Sequence, residues 1–376
     1  MPLENTANRV ARAGQRPADH RIDRWEARGA LWRESSLERV QSCGRWSVLA
    51  DGSVQVRANG QAVGYAGLAS CGSVWACPVC NSKIQAVRRL EVGTGLAWAL
   101  SDGGAAFGAY TLHHHAGSGL DPTWRSLTKC WQAVARDKGV RATREALGVS
   151  GVIRTAEVTY GANGWHPHLH PLVLFSRPVS PGDVATLHRE QFRAWTSAAA
   201  RLGLSAPSNA AQDLHAVTGE RAHSEVADYF TKASYRPSVE AVAWEATSTQ
   251  TKSRTRATDS RTPWDLLRSV YLDGDADALD LWHRWERDSK GKRALTWTRG
   301  LRHRIGLDQE ATDEDIAATE VGDQADAGFV IEDWSPVRAV PRLGAELLSV
   351  IGTEGRWTEG RRFCEEHGID TREMAR

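Results

Sequence analysis

No segment of this 376-residue chain approaches the roughly 20 consecutive apolar residues that a helical membrane crossing needs. No apolar run follows Met1, so no export signal is expected and the chain reads as cytoplasmic, with no membrane partner. No G-x-x-x-x-G-K-[ST] phosphate loop is present, which excludes the common nucleoside-triphosphate cradle and leaves strand separation to another protein. The chain has no internal repeat, and Lys and Arg are missing from Ile305 through Val337. Cysteine is scarce and unevenly placed: Cys71, Cys77 and Cys80 cluster, whereas Cys43, Cys130 and Cys364 are scattered. In a reducing compartment such a cluster points to a metal site rather than to a disulfide framework.

The near balance of 47 Lys plus Arg against 46 Asp plus Glu hides blocks of one sign. Arginines recur through the first 45 residues (Arg9, Arg12, Arg16, Arg21, Arg24, Arg28, Arg33, Arg39, Arg45), and the stretch from Asp308 to Gly328 is acidic. A basic front suits DNA contact and an acidic rear suits a solvated segment. The expected divisions are a basic segment over 1–40, ordered on binding, and a cysteine-rich zinc module over 41–92. A catalytic domain over 93–245 follows, then a linker and helical DNA-contact region over 246–307 and an acidic, largely disordered tail over 308–376.

Alternation predicts strands over 46–56, 106–113, 151–160 and 167–175, the last two joined at Gly161-Ala162-Asn163-Gly164 as an antiparallel hairpin. A short strand is expected near 213–217. Helical patterns cover 82–100, 123–134, 181–202, 223–234 and 264–289. The order suggests an α+β domain, an antiparallel sheet with helices on one face.

The sharpest local signal is His166-Pro167-His168-Leu169-His170 ahead of the apolar run Leu172-Val173-Leu174-Phe175. Residues two apart on a strand share a face, so His168 and His170 can offer two imidazoles to one divalent cation while Leu169 enters the core. Surface histidines on an edge strand would look the same in isolation, but the apolar run argues against an exposed edge. Glu157, on the preceding strand, and His166, in the same period, both remain candidates for a third ligand, with Glu157 ranked first. His113, His114 and His115 form a second cluster that is more simply read as solvated.

Glu225, Tyr229 and Lys232 stand at i, i+4 and i+7, one stripe of a helix whose neighbouring stripe is Val226, Ala227, Phe230 and Ala233. A phenol has a pKa near 10 and needs help to act as a nucleophile at neutral pH. Lys232 can favour the phenolate or hold a phosphate, and Glu225 is placed as a general base. An ordinary amphipathic helix carries the same three residues on its wet side, so this motif gains weight only from the histidine strand. Cys77-Pro78-Val79-Cys80 is a knuckle for zinc, with Cys71 a third ligand and Cys43 the best candidate for a fourth. Cys130 reads as a core residue and Cys364 as a tail residue.

Together these segments resemble the plasmid rolling-circle replication initiators of the His-hydrophobic-His endonuclease superfamily, the actinobacterial plasmid type above all. Gly164-Trp165-His166-Pro167-His168-Leu169-His170 is similar to the family's metal motif. Glu225 through Lys232 is similar to its nucleophile motif, and Cys71 through Cys80 to the cysteine segment ahead of its catalytic domain. The strand ending at His113 is a loose match to the family's first motif. The resemblance implies a five-stranded antiparallel sheet with the histidines on a central strand. It also implies a Mg²⁺ or Mn²⁺ ion on His168 and His170, and Tyr229 as a nucleophile forming a 5′-phosphotyrosine link. Glu225 would then let water act at termination.

The implied substrate is plasmid origin DNA, double-stranded with an extruded or single-stranded nick site, and the implied partners are a host helicase and DNA polymerase. A mobilisation relaxase or a transposase of the same superfamily would share this chemistry. A zinc-dependent DNA-binding regulator without catalysis, or a metallohydrolase in which the cation activates water, would not attach DNA to the protein.

Overall fold

The computed structural model describes residues 17–59, 62–115, 117–217, 260–318, 326–351 and 356–374. Its elements, in chain order, are α1 (Pro17–Glu34), α2 (Glu38–Ser42), β1 (Val54–Asn59), β2 (Ala62–Ala66), α3 (Pro78–Asp102), β3 (Gly104–Thr111), α4 (Leu120–Arg136) and α5 (Lys138–Ala146). Then come β4 (Val149–Gly161), β5 (Gly164–Phe175), α6 (Pro181–Arg201), β6 (Asp213–Ala216), α7 (Pro263–Asp273), α8 (Ala276–Ser289) and β7 (Leu295–Trp297). The last group is α9 (Leu301–Arg304), α10 (Asp313–Ala318), β8 (Asp326–Ile331), α11 (Ser335–Ala339), α12 (Arg342–Ile351), α13 (Arg356–Glu366) and β9 (Thr371–Glu373).

The chain is α+β, with two antiparallel sheets. The five-stranded sheet runs β6-β3-β5-β4-β7 and puts the histidine strand at its centre. Ala162 and Asn163 form the two-residue connection between β4 and β5, and Gly164, at φ 80°, takes the left-handed conformation that a side chain disfavours. From that turn the pairing runs without a slip as far as Gly151, setting Glu157 opposite His168 and Thr155 opposite His170.

Helices cover both faces of this sheet, where one covered face was expected. Tyr110, Leu169 and Val173 face a core that includes Trp124 and Trp131 of α4 and Trp195 of α6. On the histidine face Leu172 and Leu174 pack with Ile153 and with Val92, Leu96 and Ala99 of α3. The reason is visible along β5: below His170 its residues are apolar on both sides, so both sides must be buried. Helix α3 lies along this face beside Leu172, Leu174 and Thr155. The expected boundary at residue 92 therefore falls inside a helix of the main core.

Three further expectations change. The expected helix over 264–289 is two helices broken at Gly274, whose φ of 65° ends α7. Trp264, Trp282 and Trp285 of the expected DNA-contact region are buried in the main core, because their apolar stripe is spent against the sheet domain. The described part of the N-terminal segment, from Pro17 on, is packed without a ligand: α1 buries Trp25, Ala27 and Leu31.

The tail expected to be disordered instead supplies β8, α11, α12, α13 and β9 among the described residues. β8 pairs with β1 in a second sheet of order β2-β1-β8-β9. Trp25, Tyr65 and Trp334 meet edge to face in its core, and the Tyr65 hydroxyl donates to the Gly344 carbonyl at 2.8 Å. Cys364, read from sequence as a tail residue, is fully buried there. The acidic segment between the sheets is tied down as well: Arg88 of α3 pairs with Asp313 at 3.1 Å and with Glu310 at 3.5 Å, and donates to the Ala311 carbonyl.

Candidate metal and DNA-processing site

Glu157, His168 and His170 offer a carboxylate oxygen and two imidazole nitrogens within 4.8 Å of one another, a donor set able to hold one divalent cation. The Glu157 carboxylate lies 3.0 Å from Nε2 of His170. His170 is buried against Phe107, their rings near parallel at 6.0 Å, whereas His168 and Glu157 are only half-buried. The site thus has a fixed inner ligand and an accessible outer side.

His166 does not join the three. Its Nε2 is 2.8 Å from the Thr111 hydroxyl, its ring stacks on His114 at 4.0 Å, and its edge meets His168 at 3.9 Å. Burial, with the neighbouring His168 and His114 rings adding to it, pushes its pKa down to about 2, so it stays a neutral spacer beside His168. His113 and His115 stack loosely on each other and are exposed. Thr111 carries no sequence signal as a site residue, but it links three elements. Its backbone N–H donates to Gln212 and its carbonyl accepts from Trp195 Nε1, while its side chain meets the histidine strand. A cavity of about 320 Å³ opens beside Thr155 on the same face, lined in part by Trp75, Lys290, Lys292 and Arg293.

The second group is Cys43, Cys71, Cys77 and Cys80, all buried. Cys77 caps α3 and Cys80 lies in its first turn, where the helix dipole favours thiolate. Sγ separations are 3.7 Å for Cys43–Cys77, 3.5 Å for Cys43–Cys80 and 3.6 Å for Cys71–Cys80. Four sulfurs at about 2.3 Å from a tetrahedral zinc stand about 3.8 Å apart, so the cluster has the spacing of a closed structural site. Burial pushes the Cys77 thiol well up, whereas hydrogen bonds from Cys43, Cys71 and Cys77 hold Cys80 well down. The cluster belongs to the main core rather than to a separate module. Tyr229, Glu225 and Lys232 lie outside the described residues.

Among the described residues no helix is long and apolar enough to cross a membrane. No family model matches the chain, and no solved structure matches it. The chain is 27% identical to Protein rep of Streptomyces lividans in an alignment that covers 77% of this chain and 76% of that one. It is also 33% identical to a protein named Neomycin resistance protein from Streptomyces cyanogenus, in an alignment covering 29% of this chain and 31% of that one. A likeness running through three quarters of both chains supports the recognition that the motifs suggested, that of a plasmid Rep protein.

Proposed function

We propose that this chain initiates rolling-circle replication of a plasmid by nicking one strand of its double-strand origin. Tyr229 attacks the scissile phosphorus, the P–O3′ bond breaks, the phenolic proton leaves to solvent or a base, and the 3′ oxygen leaves as the hydroxyl that primes synthesis. The 5′ phosphate stays on Tyr229, so one phosphodiester is exchanged for another and no nucleotide cofactor is consumed. Glu157, His168 and His170 would hold a Mg²⁺ or Mn²⁺ ion, which would supply polarisation of that phosphate. Lys232 favours the phenolate, and Glu225 serves the later step in which water must act. Zinc on Cys43, Cys71, Cys77 and Cys80 is structural.

The observation that carries this reading is the carboxylate and two imidazoles brought together on the central strand pair, with Glu157 and His168 half-exposed, in a chain similar to Protein rep over most of its length. Unwinding and synthesis fall to a host helicase and polymerase. The test is to mix the protein with a supercoiled plasmid carrying its origin and look for a nicked product joined to protein. A zinc-dependent regulator or a water-activating metallohydrolase gives no such adduct.

A further inference from the structure

We propose that Trp75 is a positioning residue for the Glu157, His168 and His170 group, fastening both ligand-bearing strands to the cysteine cluster. Trp75 sits in the loop between Cys71 and Cys77 and is buried. Two arms leave it, one to each strand.

The first arm is aromatic. The Trp75 ring meets Trp285 edge on at 5.5 Å, and Trp285 Nε1 donates to the Trp75 carbonyl at 2.8 Å. Trp285 in turn stacks on Trp165 at 5.9 Å, with 23° between the planes. Trp165 opens the histidine strand, and Tyr160, its partner across the hairpin, packs on it edge on at 5.0 Å. A strand held at Trp165 has the orientation of His166 and His168 held with it, because successive side chains alternate about one backbone.

The second arm is made of hydrogen bonds. Trp75 Nε1 donates to the Lys292 carbonyl at 2.7 Å. Two residues on, the Ala294 carbonyl accepts from the Thr155 hydroxyl and from the Ala156 N–H, each at 3.0 Å. Those residues directly precede Glu157 on β4. One indole thus braces the strand of the carboxylate and the strand of the imidazoles, and the loop carrying it is pinned at both ends by thiols of the cluster. Partners that orient metal ligands from outside the donor set commonly change metal affinity by about 10- to 100-fold when lost.

The inference rests on the proposed metal role of the three residues, and its test separates the two. Mn²⁺ alone is titrated into the full-length protein, free Mn²⁺ is read by electron paramagnetic resonance, and zinc content is measured on the same samples. Trp75→Phe keeps a ring but loses the indole N–H and part of the stack. It is expected to retain zinc and to bind Mn²⁺ about tenfold more weakly. Trp282→Phe, a fully buried tryptophan of the same α8 helix but off both arms, serves as the stability control and should leave Mn²⁺ binding unchanged. Should Trp75→Phe fail to fold, Trp285→Phe tests the aromatic arm with the same expected loss. Mn²⁺ affinity in the Trp75 or Trp285 variant within about a factor of two of wild type, or an equal loss in Trp282→Phe, overturns the positioning role. Unchanged Mn²⁺ affinity in His168→Ala overturns the metal reading itself.

Discussion

Glu157 and His168 stand directly opposite each other across the β4–β5 pair, and the same carboxylate reaches Nε2 of His170 at 3.0 Å. One acid therefore serves two imidazoles. Glu157→Gln keeps the shape and removes the charge, so Mn²⁺ binding should weaken about tenfold or more while the fold is retained. His168→Ala and His170→Ala should abolish nicking, whereas His166→Ala should leave measurable Mn²⁺ binding. Calorimetric titration of all four checks the ranking, and loss of binding in His166→Ala alone would move the third ligand.

The two metal groups should differ in exchange. A closed thiolate site holds zinc far more firmly than an open nitrogen and oxygen site holds Mg²⁺ or Mn²⁺. Mild chelation should stop nicking and leave zinc bound, and Cys77→Ser should lose zinc and lower the thermal midpoint, since the cluster lies in the main core. Zinc leaving in step with activity would show that one metal does both jobs.

Acid should weaken the ion pairs that Glu91 makes with Arg88 and Arg302 at 3.0 and 2.9 Å. Burial acts to raise the pKa of Glu91, but hydrogen bonds from Arg302 and Arg88 outweigh it and leave the carboxylate below its ordinary range. A depressed carboxylate contributes stability that is present above its unfolded pKa and lost as pH falls through the folded value. Glu91→Gln should therefore cost about 1–3 kcal/mol at neutral pH and less under acid, read from urea midpoints at each pH. An equal cost at both ends would remove the charge from the explanation.

Glu225 should matter late rather than early. Once Tyr229 holds DNA, a second nucleophile is needed, and water deprotonated by a carboxylate is available. Glu225→Ala should keep most initial nicking and yield products longer than one plasmid unit in a replication assay. Unit-length products from that variant would leave Glu225 with only a helix-solubilising role.

The site was legible where local geometry decided it. Alternation set His168 and His170 on one face, and the Gly161–Gly164 turn fixes the pairing that brings Glu157 opposite His168, a juxtaposition that sequence left open between Glu157 and His166. Cys43 could be named only as the remaining nearby cysteine, since its approach depends on how α2 packs. The second sheet was not legible, because β1 at Val54 pairs with β8 at Ile331 across most of the chain and no local pattern records such a partner. Charge misled at the acidic segment: Arg88 sits far away in sequence, so carboxylates that pair with it read as solvated. Trp75 lay inside the cysteine segment, but its contacts with Trp285 and Lys292, and through Trp285 with Trp165, were not readable from sequence.

The central claim is that Tyr229 becomes covalently joined to origin DNA. The direct measurement uses an origin oligonucleotide labelled on the 3′ side of the nick, incubated with Mn²⁺ and the full-length protein, followed by denaturing gel electrophoresis and mass spectrometry of the labelled peptide. A labelled protein band whose peptide carries a 5′ phosphate on Tyr229 is expected, and no band with Tyr229→Phe, which should still bind the origin. Cleaved DNA with no attached protein, or an adduct that persists in Tyr229→Phe, would contradict it.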